Sequence, residues 1–363
     1  MNRWLKVWIV PGAVYQSVTI GGGYGIGREV IEFVSHAGPK GGVAAAFLIA
    51  ILLTAILGMT FDLARRMQVY DYRLFMRELL GRAWVLYEVV LVIALVLVLA
   101  VCSSAAGQIV KDHLGWPVQT GVVALLAIVV LLTYHGREWI ERTLTFWSVL
   151  ITILLFVYVA AVMSRNHAEV FSAFKASSVM SGWWKGPALF ALYNTFVVPT
   201  LLYSAAHIRT RAEAWGAATI GGVLGALPAL LYHLSFMPGY PEILEEPLPT
   251  MATIQSLGLP ILLVVYLILL FGTIAQTGAG ILQGINERIE NWWQARTGKS
   301  IGKLKRGGIA GGTILVSLGL SSFGVVALVA KGYGSAAWLS LGVYIMPLFT
   351  VGLWKCFLAK PKE

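Results

Sequence analysis

The stretch Gly21-Gly22-Gly23-Tyr24-Gly25-Ile26-Gly27-Arg28-Glu29 decides the fold. It lies in a largely apolar segment running from about Val7 to Phe33. Five glycines and an adjacent Arg-Glu pair ill suit an unbroken membrane helix. Each Gly costs about 1 kcal/mol in a helix interior relative to Ala. A charged side chain in hydrocarbon costs several kcal/mol more unless it faces protein or water. At about 1.5 Å per residue the segment would reach roughly 40 Å, past the ~30 Å hydrocarbon core. Two half-helices joined by an unwound turn reconcile these facts, and spans broken in this way border the solute sites of membrane carriers. The competing reading is a helix that ends near Ile20, followed by a Gly-rich loop outside the membrane.

The surrounding chain is that of a polytopic membrane protein. Of its 363 residues 58% are hydrophobic and 12% charged, and the mean hydropathy is +0.78. Soluble domains carry about 25% charged residues. No short cleavable signal precedes the first span, which is therefore expected to be retained. The net charge of +10 is spread over loops between apolar spans, so it reads as an orientation signal and not as a nucleic-acid surface. The two cysteines, Cys102 and Cys356, suit neither a disulfide framework nor a metal motif.

Ten apolar segments can be counted, at 7–34, 41–65, 84–111, 117–135, 140–164, 182–208, 212–237, 258–286, 307–330 and 335–357. Alternate loops differ in basic content: one set, with the two ends of the chain, holds 20 Lys and Arg, the other 7. The positive-inside rule then places both termini in the cytoplasm of a cell-membrane protein. Tyr70 to Arg82 reads as a short amphipathic cytoplasmic helix. The polar stretch from Arg165 to Lys185 reads as an outer loop ending at an interfacial Trp183-Trp184. Tyr240 to Gly258, with Glu242, Glu245 and Glu246 among three prolines, reads as an outer loop or lid.

Ten spans divide into five and five, about 7–164 and 182–357, within one transmembrane domain covering 1–363. An odd number of spans per half gives the halves opposite orientation, so a break in the first span predicts another in the sixth. Tyr193-Asn194-Thr195-Phe196-Val197-Val198-Pro199 offers it: two polar residues in an apolar run, and a proline suited to the first turn of a new half-helix. An ordinary proline kink is the alternative.

The ten spans and the glycine motif resemble the amino acid–polyamine–cation superfamily, the LeuT-type fold. The string GGGYGIGREVIEF resembles the YkvI-type bacterial membrane proteins. The resemblance covers nearly the whole chain and implies an all-α, 5+5 inverted-repeat architecture with spans 1 and 6 broken around a substrate. It also implies a sodium ion bridging spans 1 and 8. Gly21, Gly25 and Gly27 reproduce the Gly-x-x-x-Gly-x-Gly spacing of the sodium-coupled amino acid carriers. Where those carriers place a sodium-binding Asn, this sequence has Arg28, which speaks against that first sodium site.

Gly21, Gly22, Gly23, Tyr24, Gly25, Ile26, Gly27 and Arg28 in the first span, with Tyr193, Asn194, Thr195 and Phe196 in the sixth, are the candidate substrate residues. Backbone N–H groups near Gly25 to Gly27 would receive a carboxylate, and Arg28, held by Glu29 or by substrate, would add positive charge. Tyr24, Tyr193 and Phe196 would wall the pocket. Glu29 could carry a coupling proton. Thr273 and Thr277 share a helical face of the eighth span, with Gln276 beside them. With carbonyls around Gly21 and Tyr24 they could hold a sodium ion, the one cofactor considered. Hydroxyl bonding to their own helix is the competing role.

No metalloprotease, serine-hydrolase or nucleotide-binding motif is present, so an enzyme is not expected. The expectation is a secondary transporter of a small organic solute, an amino acid or related compound, coupled to sodium or protons. Its partners are the small-molecule substrate and the lipid bilayer, not nucleic acid; the oligomeric state is left open. Two alternatives stand beside it: a ligand-sensing receptor of the same fold, like spore germination receptor subunits, and a quaternary amine carrier.

Overall fold

The computed structural model describes residues 2–19, 22–134, 137–176, 179–299 and 303–357. Among them every regular element is helical. Seven helical segments are long and apolar enough to cross a membrane: Pro39–Met67, Tyr72–Leu114, Val149–Lys175, Lys185–Ala205, Arg211–Gly239, Pro260–Gln294 and Val325–Lys355. Two shorter apolar helices, Val118–Leu132 and Gly308–Ser321, lie where the fourth and ninth spans are expected. The opening segment lies where the first is expected, and it is discontinuous.

That segment begins with a π-helical turn, Leu5–Ile9, which runs into α1 (Val10–Thr19). A single helical turn, α2 (Gly22–Gly25), follows, and then α3 (Arg28–Phe33). Gly27 caps α3 in the left-handed region at φ 82°. Glycine is required there twice over: a side chain is strained at that φ, and a Cβ would lie 2.5 Å from Thr250 Oγ1 and 2.6 Å from Phe236 Cζ. Ile20 and Gly21 fall outside the described residues. The break expected from the glycines and charges is therefore present between Thr19 and Arg28.

The partner that receives α1 is α10 (Arg211–Phe236), which also packs along α4 (Pro39–Met67). In lipid, helices gain little from burying apolar surface against one another, and small residues that allow close approach take over. The sequence supplies them at each crossing. A Cβ on Gly12 would sit 2.8 Å from the Gly221 Cα, and one on Gly58 would sit 2.6 Å from the Trp215 ring. Gly42 of α4 likewise leaves room for the His233 ring. His233 is fully buried, bonded to Ser35 Oγ at 2.9 Å and to the Pro39 carbonyl at 2.8 Å, and it ties α10 to the turn between α3 and α4.

The amphipathic helix expected after the second span is α5 (Tyr72–Leu80), capped by Asp71, whose side chain accepts from the Arg73 and Leu74 amides. It leads into α6 (Trp84–Leu114), the third span. Glu88 of α6 accepts from Tyr72 Oη at 2.6 Å, Arg73 Nε at 3.3 Å and Arg288 Nη1 at 3.3 Å, so it joins α5, α6 and the eighth span. The fourth span, α7 (Val118–Tyr134), packs on α6. The fifth, α8, runs Arg137–Ala176 and departs from helical geometry at Asn166. The stretch from Arg165 read as loop is thus helical to Ala176. The segment after α10, expected as an outer loop or lid, is also more ordered than a loop: a 3₁₀ turn at Glu242–Glu245 precedes the helix α11 (Pro249–Ser256).

The sixth span corrects its expectation in part. It is α-helical as α9 (Lys185–Asn194) and then changes to 3₁₀ winding over Thr195–Ala205. Pro199 sits inside the 3₁₀ run and does not open a new α-helix. The change falls at the expected Asn194-Thr195 pair, but as tighter winding and not as an unwound turn. Runs of 3₁₀ beyond about four residues are uncommon and mark strain or a hinge.

The eighth span is α12 (Pro260–Thr297), followed by α13 (Lys303–Ser321) and the mixed π and α winding of the tenth, Val325–Lys355. The α1–α10 crossing yields a test. Gly12→Ala should lower the midpoint of thermal unfolding in detergent, because the added methyl meets backbone that cannot turn aside. Gly319→Ala, with nothing within 4 Å of the new atom, should leave it in place. Equal midpoints for the two variants would contradict the packing described.

Candidate functional site

The broken first span leaves peptide groups that no helix satisfies, and in a membrane each must find a partner within the protein. The Gly25 carbonyl accepts from two hydroxyls, Tyr232 of α10 and Tyr266 of α12, each at 3.3 Å. The Ile26 carbonyl accepts the Thr250 amide of α11 at 3.4 Å, and the Gly27 amide donates to the Tyr24 carbonyl at 3.0 Å. Ile26 itself is fully buried. The break is thus framed by three elements remote in sequence. Neither tyrosine was picked out in the sequence, where a lone Tyr in an apolar helix carries no signal of its target.

The charged pair after the break separates. Arg28 is 3% exposed, and its guanidinium donates to the carbonyls of Leu244 at 2.7 Å and Glu246 at 3.1 Å, and to Glu32 Oε2 at 3.2 Å. It holds the outer segment down over the break. Of the two holders considered for Arg28, Glu29 or substrate, the structure shows neither: its carboxylate partner is Glu32. One turn of helix brings Glu32 to Arg28, four residues away.

Glu29 points elsewhere. It is 3% exposed and its Oε2 has no hydrogen-bond partner. It lies close enough to act electrostatically on Tyr24, on Cys102 of α6, on Tyr193 of α9 and on Tyr333 of the tenth span. Tyr193 and Tyr333 stack at 4.1 Å between ring centroids, with 15° between planes. Tyr24 meets Phe190 at 5.8 Å and Tyr232 edge-on at 5.9 Å. The hydroxyls of Tyr24 and Tyr15 are also buried without partners. Spans 1, 3, 6 and 10 therefore converge on a lone carboxylate among tyrosines. Tyr15 and Tyr333 went unnoticed in the sequence, and Cys102 was weighed there only for disulfide or metal chemistry.

The other predicted residues divide. Tyr24 and Tyr193 are in the cluster. Asn194 Nδ2 donates to the Phe190 carbonyl at 3.1 Å and Thr195 Oγ1 to the Ala191 carbonyl at 2.6 Å, so both serve the winding of their own helix. Phe196 packs on Tyr87 at 4.8 Å, and its carbonyl accepts the Tyr87 hydroxyl. Tyr87 in turn meets Tyr344, whose hydroxyl bonds Thr60. These three residues, expected at the substrate, are thus engaged in helix winding or in a separate aromatic layer. Gly22 and Gly23 form the single turn α2, which packs against α6 and α12.

In the eighth span, Thr273 is 4% exposed and donates to the Leu269 carbonyl at 2.7 Å. Its hydroxyl keeps lone pairs for a cation. Gln276 is 5% exposed with Oε1 unpartnered, and Thr277 is half-buried. Leu270, one turn before Thr273 on the same face of α12, approaches Gly25, so this face abuts the break.

Comparison with known proteins agrees with this architecture. No family model matches the chain. Over 286 residues it is 23% identical to the uncharacterized membrane protein YkvI of Bacillus subtilis (strain 168), a match spanning 77% of this chain and 80% of that one. Among solved structures, MhsT in complex with L-phenylalanine superposes with a TM-score of 0.60 at 14% identity, covering 97% of this chain and 98% of that one. Inward-facing Mhp1 gives 0.53 at 13% identity, covering 96% and 76%. A Na⁺-coupled sialic acid symporter in a substrate-bound outward-open state gives 0.52 at 12% identity, covering 99% and 87%. The chain has the LeuT fold. The resemblance to YkvI-type proteins read from the glycine string is borne out, and these neighbours are transporters, not enzymes.

Within this LeuT fold the Arg28 clamp is open to direct test. Arg28→Ala should free the outer segment, raising amide hydrogen exchange across 242–256 by about tenfold or more relative to the parent. Arg28→Lys should restore only part of the protection, since one ammonium cannot reach two carbonyls and a carboxylate in a fixed fork. Unchanged exchange in Arg28→Ala would show that the guanidinium does not hold the segment.

Proposed function

We propose that this chain is a secondary active transporter that carries a small organic solute, an amino acid or related amine, across the cell membrane by alternating access. The observation that carries the reading is the cluster at the first break. Glu29, Tyr24 and Tyr15 present buried, unpartnered polar atoms there, where a helix that only supported the fold would have none to spare. Polar groups left open inside a membrane bundle cost several kcal/mol unless something occupies them, and they mark solute and ion pathways.

The architecture proposed with this function is ten spans arranged as two inverted halves, about 7–164 and 182–357, with both termini cytoplasmic. The positive-inside count supports that orientation. Ion pairs at both faces would have to rearrange during the cycle: Arg28 with Glu32 on the outer side, and Arg73 and Arg288 with Glu88 on the inner.

For the coupling ion, Glu29 offers a proton site. A sodium site is a second reading, favoured by the unpartnered Gln276 Oε1 between Thr273 and Thr277. These are neutral, hard oxygen donors suited to an alkali cation, and they face the Gly25 turn across Leu270.

Uptake into proteoliposomes tests the function. Labelled small amino acids and amines should accumulate above the external concentration under an imposed proton or sodium gradient, and accumulation should collapse when an ionophore dissipates it. A sensor of the same fold would bind such a solute and accumulate none.

A further inference from the structure

Among the described residues, no cation pairs with the Glu29 carboxylate. An ionised carboxylate buried without a partner is unstable by several kcal/mol and must be protonated or meet a positive charge. The elements packed on α3 supply none. Arg28, its sequence neighbour, is bound to Leu244, Glu246 and Glu32. Glu32 and His36 pair with each other along the outer side of the helix, 3.9 Å apart. His233 of α10 is bonded to Ser35 and to the Pro39 carbonyl. Lys185 of α9 and Lys331 before Tyr333 are exposed. Among the described residues, the groups within electrostatic reach of Glu29 include Tyr24, Tyr193, Tyr333 and the Cys102 thiol, none of them cationic.

Such a setting is selective in sign. A solute carboxylate would be repelled by Glu29 and would find Arg28 already engaged. A solute ammonium would gain the carboxylate, the faces of the surrounding tyrosines, and the hydroxyl oxygen of Tyr24 as an acceptor for its N–H groups. With the ammonium absent, a proton on Glu29 removes the same charge.

Building on the carrier reading above, we propose that the Glu29 carboxylate is a seat shared by a proton and by the ammonium group of a small primary amine, so that the chain exchanges one for the other. The step balances without electron transfer. The entering R–NH₃⁺ forms an ion pair with Glu29, the carboxyl O–H bond breaks, and one proton leaves to water on the side the amine came from. After reorientation the reverse occurs. Two ligands that exclude each other from one site are coupled by linkage, each weakening the other, and exchange of one monovalent cation for another moves no net charge.

The test uses purified protein in weakly buffered detergent solution with a pH-sensitive dye. Ethanolamine and butylamine are the probes, with acetate, glycine and sodium chloride as comparators. At a pH where Glu29 is protonated in the free protein, each amine bound should release close to one proton. Amine affinity should fall about tenfold for each unit of pH lowered in that range. Glu29→Gln should weaken amine binding about 100-fold or more and release no protons, while Glu29→Asp should keep the release. The Gln variant should be at least as heat-stable as the parent, since it removes a buried ionisable group without changing shape. Loss of both its folding and that of Glu29→Asp would make Glu29 structural and overturn the proposal.

The proposal is likewise overturned if amines bind without proton release, if they fail to bind, or if Glu29→Gln binds them unchanged. Proton release by sodium chloride in place of the amines would assign the seat to the metal ion and overturn the amine assignment. The outcomes separate from those of the carrier reading. Proton-releasing amine binding without accumulation in proteoliposomes keeps the shared seat and removes the carrier. Accumulation that persists in Glu29→Gln keeps the carrier and removes the seat.

Discussion

An interrupted helix inside a bilayer leaves carbonyl and amide groups with no water to bond them, and the rest of this structure follows from how they are satisfied. The Gly25 carbonyl draws hydroxyls from the seventh and eighth spans, and the Ile26 carbonyl draws a backbone amide from the outer segment. Those bonds require Tyr232, Tyr266 and Thr250 to converge on one turn. That convergence fixes α10, α12 and α11 about the break. The glycine contacts between α1, α4 and α10 serve the same end, by letting the helices approach closely enough for the tyrosines to reach. One backbone conformation, Gly27 in the left-handed region, sets the direction in which α3 leaves the turn.

That direction decides the fate of two adjacent charges. Successive helical residues point about 100° apart, so Arg28 and Glu29 cannot share an environment. Arg28 turns to the segment after α10, where both of its terminal nitrogens are bonded and Nε is left without a partner. Glu29 turns into the bundle and meets only tyrosines and a thiol. The two side chains together are close to neutral, yet their partners separate them, and the uncompensated charge is left on the interior side. The buried carboxylate is therefore a product of geometry as much as of composition.

The features legible in the sequence were those with local causes. Glycines that forbid a helix, an amphipathic pattern after Tyr70, and a long apolar run are each read from a few neighbouring residues, and the break, the short helix after the second apolar segment and the long apolar helices stand where expected. What could not be read was set by contacts between residues far apart in the chain. Arg28 reaches carbonyls 216 and 218 positions away, and nothing near residue 28 announces them. Tyr333 looked like an ordinary residue at a span end until stacking on Tyr193 placed it in the cluster. Asn194 and Thr195 could not be placed for a different reason: each bonds a carbonyl of its own helix. Polar residues in an apolar run suggest a cavity, but a side chain that can reach its own helix carbonyl one turn back satisfies itself more readily than it lines a pocket.

The sixth span shows how the same region can tie the site to the inner face. Eleven residues in 3₁₀ winding, at about 2.0 Å per residue against 1.5 Å for an α-helix, extend about 5 Å further than the same residues wound as α. The winding changes immediately after Tyr193, which stacks in the cluster, and immediately before Phe196, which packs in the Tyr87 and Tyr344 layer. The distance between those two aromatic layers is therefore a function of how this one segment is wound. Pro199 cannot donate the backbone bond that α winding would ask of it. The side-chain bonds of Asn194 and Thr195 to the preceding turn secure the α-helical half up to the junction. One half is held as α-helix and the other is wound more tightly as 3₁₀, so the change of winding falls between Tyr193 and Phe196.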